Sequence, residues 1–293
     1  MTEGQTPAPE SRDGVVLIDK PAGPTSHEVV AVARKAIGVR RIGHAGTLDP
    51  FATGLLVLLV GRATRLLPYL DAEPKVYDAT IQFGAETDTD DSTGQTVREA
   101  PPPAPGAVRQ AITALTGEID QVPPAYSAKK VDGRRAYDAA REGTALSLAP
   151  VRVTVARWTI RAQRDDALDV EITCSGGTYI RALARDLGRL AGSAAHLAAL
   201  RRVRSGPFHV GDAQPIDRLR AGDVRLLPPL AGVASLPTRV LEDAEVPRAV
   251  HGNPVPASGD AARVALIDSV GALVGVADRH DGMWQPKVVL RDA

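Results

Sequence analysis

GHAGTLDPFATGLLVLLVGRATR, residues 43–65, is the stretch on which the reading of this chain turns. Gly43, Gly46 and Gly54 surround Asp49 and Pro50, so residues 43–54 form a loop with close backbone approach and a locally restricted acidic residue. LLVLLV, residues 55–60, follows as a compact apolar run between Gly54 and Gly61, the pattern of a buried strand. An acidic side chain on a loop beside a buried strand is well placed to act as a nucleophile or a base. An Asp before Pro also serves as an ordinary turn or cap, and the residue pattern leaves both readings open. The run is far shorter than the about 20 residues of a membrane span, so no spanning segment is expected.

Upstream, VVLI within residues 14–19 reads as a strand, and Pro21, Gly23 and Pro24 force a turn. Thr25 or Ser26 caps a helix whose apolar positions Val29, Val30, Ala33 and Ile37 recur at helical spacing up to Gly38. Residues 1–12 lack a basic segment followed by an apolar stretch and read as a flexible leader. Downstream, YDATIQF (77–83) predicts a strand, and residues 85–95 an acidic turn. PPPAP (101–105) precedes a helix around residues 108–115. Residues 123–143 carry Lys129, Lys130, Arg134, Arg135 and Arg141 with little aliphatic content; they read as an arm that orders on a partner, or as a solvated loop with one surface helix. Residues 151–160 and 167–173 predict two strands. From Gly176 the chain turns into a helix with Ile180, Leu183, Ala184 and Leu187 as its apolar stripe. Pro and Gly around residues 227–237 mark a boundary, after which short apolar runs alternate with turns, as in a small mostly β domain.

The 293 residues, 24% charged and 44% hydrophobic, exclude a wholly disordered chain and suit two domains. The lone Cys174 makes no internal disulfide, which suits a reducing, cytoplasmic setting. Net charge is zero, but it is segregated: residues 12–67 carry 8 basic and 4 acidic side chains, residues 68–120 carry 3 and 10, and residues 121–210 carry 15 and 8. Two basic regions flanking an acidic one suit a positive face that follows a polyanion, with the acidic region turned away; ordinary solvated surface explains the same counts.

Further candidates are His44, which can donate to phosphate, stack on a base or bond to backbone, and Arg181, whose guanidinium pairs with a carboxylate or a phosphate. Tyr77 and Tyr179 offer ring faces for stacking, or core packing. There is no P-loop and no GxGxxG motif, and neither Cys174 nor the scattered histidines have metal-ligand spacing, so no metal site is expected. A Cys174 nucleophile is a remote alternative.

In order along the chain, LIDKPAGPTSHEVV, RIGHAGTLDPFATGLLVLLVGRATR, KVYDATIQFGAETDTDDSTG, VPPAYSAKKVDGRRAYDAAREG and CSGGTYIRALARDLG together resemble the bacterial tRNA pseudouridine-55 synthase family. The resemblance implies a mixed α/β catalytic domain over residues 13–235 with a largely antiparallel central sheet, and a PUA-like RNA-binding domain over residues 240–293. It implies isomerisation of the T-loop uridine at tRNA position 55, by a cytoplasmic monomer that contacts the T-arm and the acceptor stem and needs no cofactor or metal. Asp49 would be the catalytic aspartate, Arg181 its ion-pair partner, Tyr77 the ring against the target base, Tyr179 a support of the pocket, and His44 a contact to the T-loop. Residues 123–143 would close over RNA. Lys20, Lys129, Lys130, Arg134, Arg135 and Arg141 are expected RNA contacts.

Overall fold

The computed structural model describes residues 12–104, 106–127, 130–131, 134–135 and 148–291. β1 (Gly14–Lys20) leads into α1 (Ser26–Ile37), then the short β2 (Ile42–His44) and β3 (Thr53–Val60). After a 3-10 segment, Gly61–Tyr69, come β4 (Lys75–Phe83), the hairpin of β5 (Ala85–Thr87) and β6 (Thr96–Glu99), α2 (Ala107–Ala114) and β7 (Gly117–Gln121). The two-residue strands β8 (Lys130–Val131) and β9 (Arg134–Arg135) pair with each other. β10 (Val151–Gln163), β11 (Ala167–Cys174), α3 (Ile180–Leu190) and β12 (Ala195–Ser205) follow. β13 (Phe208–His209), β14 (Gln214–Pro215) and α4 (Ile216–Arg220) complete this part.

The described strands build a ten-stranded sheet ordered β14-β1-β3-β12-β4-β11-β10-β7, with β2 on β3 and β13 on β12. Only the β1/β14 and β3/β12 pairs are parallel. The fold is therefore the expected mixed α/β architecture with a largely antiparallel centre. β3 is central because all of Gly54–Val60 is buried, which removes a long aliphatic run from water. α1 is held as its sequence suggests: Thr25 and Glu28 form a capping box, and Val29, Val30, Ala33 and Ile37 are buried.

β12 is the main element that the sequence reading missed, and it lies between β3 and β4 at the middle of the sheet. HLAALRRVR looks too charged for a central strand, and bulges at Leu197/Ala199 and Arg202/Arg204 break its alternation. Gly54 makes the β3/β12 contact possible: at φ 97°, a Cβ there would stand 2.3 Å from the Arg202 carbonyl oxygen.

A second sheet, ordered β15-β17-β18-β19-β16, is built from β15 (Thr238–Val240), β16 (Val255–Pro256), β17 (Arg263–Ile267), β18 (Leu273–His280) and β19 (Met283–Val289), with α5 (Val246–Val250) against it. This is the expected β-rich C-terminal unit. Ala63 and Leu66 share a buried apolar cluster with Val276, Val288 and Leu290, and Arg62 and Arg65 donate to the carbonyls of Leu290 and Val289. No helix among the described residues is long and apolar enough to cross a membrane.

Candidate active site

The Asp49 loop is fastened from three sides. Ala45 N–H bonds to the Val57 carbonyl (2.9 Å), and the Ser26 hydroxyl accepts from Leu48 N–H (2.9 Å) while donating to the Leu48 carbonyl (3.1 Å). The Pro50 carbonyl accepts from Gly23 N–H at 2.8 Å. Lys20 reaches the same point: its Nζ donates to the carbonyls of Pro21 (2.9 Å), Pro24 (2.9 Å) and Pro50 (3.3 Å). This corrects the expectation that Lys20 contacts RNA. Its side chain is wholly buried, burial lowers its pKa to about 8, and its donors are used on the loops that flank Asp49.

Arg181 enters from the first turn of α3, with three hydrogen bonds and two carboxylates around its guanidinium. Nε lies 2.9 Å from Asp49 Oδ2 and Nη2 lies 3.1 Å from Oδ1, a bidentate pair. Nη2 also donates to the Tyr126 carbonyl (2.9 Å), and Nη1 to the Thr89 carbonyl (2.8 Å), with Asp91 Oδ2 at 3.5 Å. The guanidinium is buried, whereas 34% of the Asp49 side chain stays exposed, so the carboxylate is reachable from outside. Desolvation raises the Asp49 pKa above the ordinary carboxylate value; Arg181 opposes the rise, Asp91 adds to it, and Lys20 opposes it.

The acidic segment is not turned away, as charge segregation had suggested. Glu86, Asp90 and Asp91 are 2%, 7% and 4% exposed and face the arginines of α3. Asp91 meets Arg181, Asp90 meets Arg185 at 2.9 Å, and Glu86 meets Arg189 at 2.7 Å as well as Arg98. Burial raises the Asp90 pKa to about 6, against the pull of Arg185. The signal was available in the sequence: arginines at 181, 185 and 189 recur every four residues along one helix face and require an acidic counterpart if that face is buried.

Tyr77 lies on β4 with its side chain in the main core cluster, 7% exposed. Burial raises its pKa, so the hydroxyl stays protonated; the Arg202 charge pulls the other way. Arg202, on β12, is 1% exposed and donates to the carbonyls of Leu55 (2.7 Å) and Gly46 (3.1 Å). It thereby links the Tyr77 side of the site to the Asp49 loop. Tyr179 is half-buried just before α3, and the Gln121 amide holds its backbone by accepting from its N–H (2.8 Å) and donating to its carbonyl (3.1 Å). Arg202, Gln121 and the Asp90–Asp91 pair are thus supporting residues that sequence reasoning did not assign, and Lys20 is one to which it gave another role.

His44, at the end of β2, stands edge-on to His27, with ring centroids 5.4 Å apart. Desolvation lowers its pKa, with His27 and Arg202 adding to the drop, and its buried Nδ1 has no hydrogen-bond partner. Of the basic residues in segment 123–143, Lys129 and Arg141 lie outside the described residues. Lys130, Arg134 and Arg135 are described as strand positions only. Burial pushes the Cys174 thiol up to about 11, which disfavours a thiolate nucleophile. Among the described residues no group of three or more His, Cys, Asp or Glu side chains is arranged to hold a metal. A groove of about 750 Å³ lined by Asp78, Thr80, Asp169, Glu171 and Arg201 uses side chains of the opposite strand parity to Tyr77 and does not include Asp49.

The buried Arg181 thus holds a reachable carboxylate beside the buried Tyr77. The profile described as "TruB family pseudouridylate synthase (N terminal domain)" matches residues 34–180, and the one described as "tRNA pseudouridylate synthase B C-terminal domain" matches residues 181–222. The tRNA pseudouridine synthase B of Thermobifida fusca (strain YX) is 47% identical over 288 residues, covering 94% of this chain and 98% of that protein. The protein of the same name from Mycobacterium sp. (strain KMS) is 44% identical over 290 residues, covering 96% and 97%. Among solved structures, a chain of a Cbf5-Nop10-Gar1 complex superposes with a TM-score of 0.70 at 25% identity, over 95% of this chain and 85% of that one. With a family model over half of its length and relatives that match it nearly end to end, the chain belongs to the TruB family of pseudouridine synthases.

Proposed function

We propose that the chain isomerises uridine 55 in the T-loop of tRNA to pseudouridine, with Asp49 as the catalytic carboxylate. The observation that carries this reading is the Asp49–Arg181 pair: a fixed carboxylate with one open edge, in a chain whose similar relatives are tRNA pseudouridine synthases. In the reaction the N1–C1′ bond breaks, the base turns, a C5–C1′ bond forms, C5 loses a proton and N1 gains one. The product is an isomer, so no redox partner enters the balance. The buried T-loop nucleotide must first leave its stack, at a cost of a few kcal/mol. Stacking on Tyr77 returns ~1 to 3 kcal/mol. Arg181 orients the carboxylate and favours its ionised form, in which Asp49 initiates the chemistry. A protonated, buried Tyr77 hydroxyl favours a stacking role over that of a base.

Tyr179 supports the pocket, and His44, whose burial favours the neutral ring, meets the T-loop. In the same reading residues 13–235 are the catalytic domain, residues 123–143 close over RNA, and the PUA-like residues 240–293 add contacts near the acceptor stem. The enzyme acts as a cytoplasmic monomer, to be checked by sedimentation. An isolated T-arm that binds as tightly as whole tRNA would remove the acceptor-stem contact.

The test is turnover on an unmodified tRNA transcript with pseudouridine mapped at nucleotide resolution, and Asp49→Asn run alongside. Modification at position 55 by the wild type, abolished in a variant that still binds tRNA, is the expected result. Modification at another uridine overturns the assignment of position, and wild-type turnover by Asp49→Asn overturns the assignment of Asp49.

A further inference from the structure

Three of the buried or largely buried cations around the site have their donors matched. Lys20 bonds to three carbonyls, Arg181 to two carbonyls and to Asp49 with Asp91 alongside, and Arg202 to the carbonyls of Gly46 and Leu55. Lys75 does not fit this pattern. It opens β4 two positions before Tyr77, so the two side chains share a face of the strand, and it pairs across to Cys174 and Ser205. Its Nζ has no hydrogen-bond acceptor and no carboxylate within ion-pairing distance among the described residues. Glu73, which favours the charge of Lys75, directs Oε1 to Gly176 N–H at 2.8 Å instead.

The location of this ammonium is specific. A Cβ built on Gly46 would lie 2.9 Å from Lys75 Nζ and 3.4 Å from Arg202 Nη1, and one built on Gly176 would lie 3.7 Å from Nζ. Nζ therefore stands between the loop that delivers Asp49 and the turn that delivers Tyr179 and Arg181, and Gly46, at φ 94°, leaves room for it. Burial and the neighbouring Arg202 charge lower its pKa. Two cations side by side, one of them without a partner, form a site for an anion.

We propose that Lys75 is a substrate-binding residue that takes a backbone phosphate of the RNA next to the flipped nucleotide. The inference rests on the reading of the Asp49 site as the place where RNA is modified. A compact ammonium at the mouth of a nucleotide pocket suits phosphate, where it acts as a point charge, better than a base edge. Once the base has entered beside Tyr77, the flanking phosphates remain outside it, and Nζ, held against the Gly46 and Gly176 turns without a partner of its own, is the ammonium that can meet one.

The test compares the wild type with Lys75→Met and Lys75→Arg on unmodified tRNA transcript, reading kcat and KM, and the Kd for tRNA across a salt series in an Asp49→Asn background. Lys75→Met should raise KM and Kd about tenfold, the scale of one hydrogen bond to a charged group. It should also reduce the salt slope of log Kd by about one, because one phosphate contact is lost. Lys75→Arg should restore most of the affinity and the slope. An unchanged Kd and slope, or a fall in kcat with KM unchanged, overturns the proposal. A lowered melting temperature with the slope intact also overturns it, because Lys75 would then be structural. Failure of the underlying reading looks different: the wild type makes no pseudouridine, while the salt slope of binding still judges Lys75.

Discussion

The two sheets treat charge in opposite ways. The ten-stranded sheet and its helices bury Lys20, Glu86, Asp90, Asp91, Arg181, Arg185 and Arg202, whereas the core of the C-terminal sheet is apolar, from Val264 and Leu266 to Trp284. The Arg263–Asp278 pair keeps both side chains substantially exposed, and Asp268, paired with Arg291, is the charged side chain this part buries. Burying charge is costly and stabilises little even when every partner is present. The C-terminal sheet shows that a chain of this composition folds with almost none of it. Its concentration around Asp49 is therefore tied to holding one carboxylate at one angle.

Replacing Arg181 should break that arrangement with the largest effect. Arg181→Met leaves Asp49 and Asp91 without their shared partner. Turnover should fall roughly 10²- to 10³-fold, the scale of losing a preorganised electrostatic group, and denaturant unfolding should show ~3 to 5 kcal/mol less stability. A variant with normal turnover would mean that the buried charges serve stability alone.

Lys20→Met sharpens the comparison with a smaller change, below about tenfold at neutral pH, since Lys20 acts on Asp49 through its field and the loop backbone. The sign follows from the charges. Asp49 works ionised, its pKa already lies above the ordinary carboxylate value, and Lys20 opposes that rise. Turnover should decline as pH falls through this raised pKa, and the acid limb of the kcat profile should lie at higher pH in Lys20→Met than in the wild type. An unmoved limb would show that Lys20 holds only the backbone. The smallest effect belongs to the C-terminal sheet: Arg263→Ala removes an exposed pair and a contact with the Tyr69 ring, and should cost ~1 kcal/mol or less in the same unfolding assay.

Legibility in the sequence follows the same division. α1, β3 and the apolar stripe of α3 could be read because each repeats a period of burial, and the GHAGTLDP and GTYIR motifs led to Asp49 and Arg181 before any distance was known. β12 was lost because Arg201, Arg202 and Arg204 look like surface residues, although Arg202 is 1% exposed. The same bias sent Lys20 to an RNA surface and residues 85–95 to solvent. For Arg202 and Asp90 the partner that makes burial tolerable is distant in sequence, Leu55 at 147 positions and Arg185 at 95, while Lys20 bonds to the nearby Pro21 and Pro24 as well as to Pro50. Composition records the charge, while only the fold records what meets it.

The crowding of acceptors around the Arg181 fork also bears on inhibitor design. A uracil-like ligand drawn to this guanidinium would find its three nitrogens already beside Asp49, Asp91 and the carbonyls of Tyr126 and Thr89, and would have to displace one of these to enter. Selective compounds would do better to reach for the open edge of the Asp49 carboxylate with a donor of their own, and leave the arginine to the enzyme.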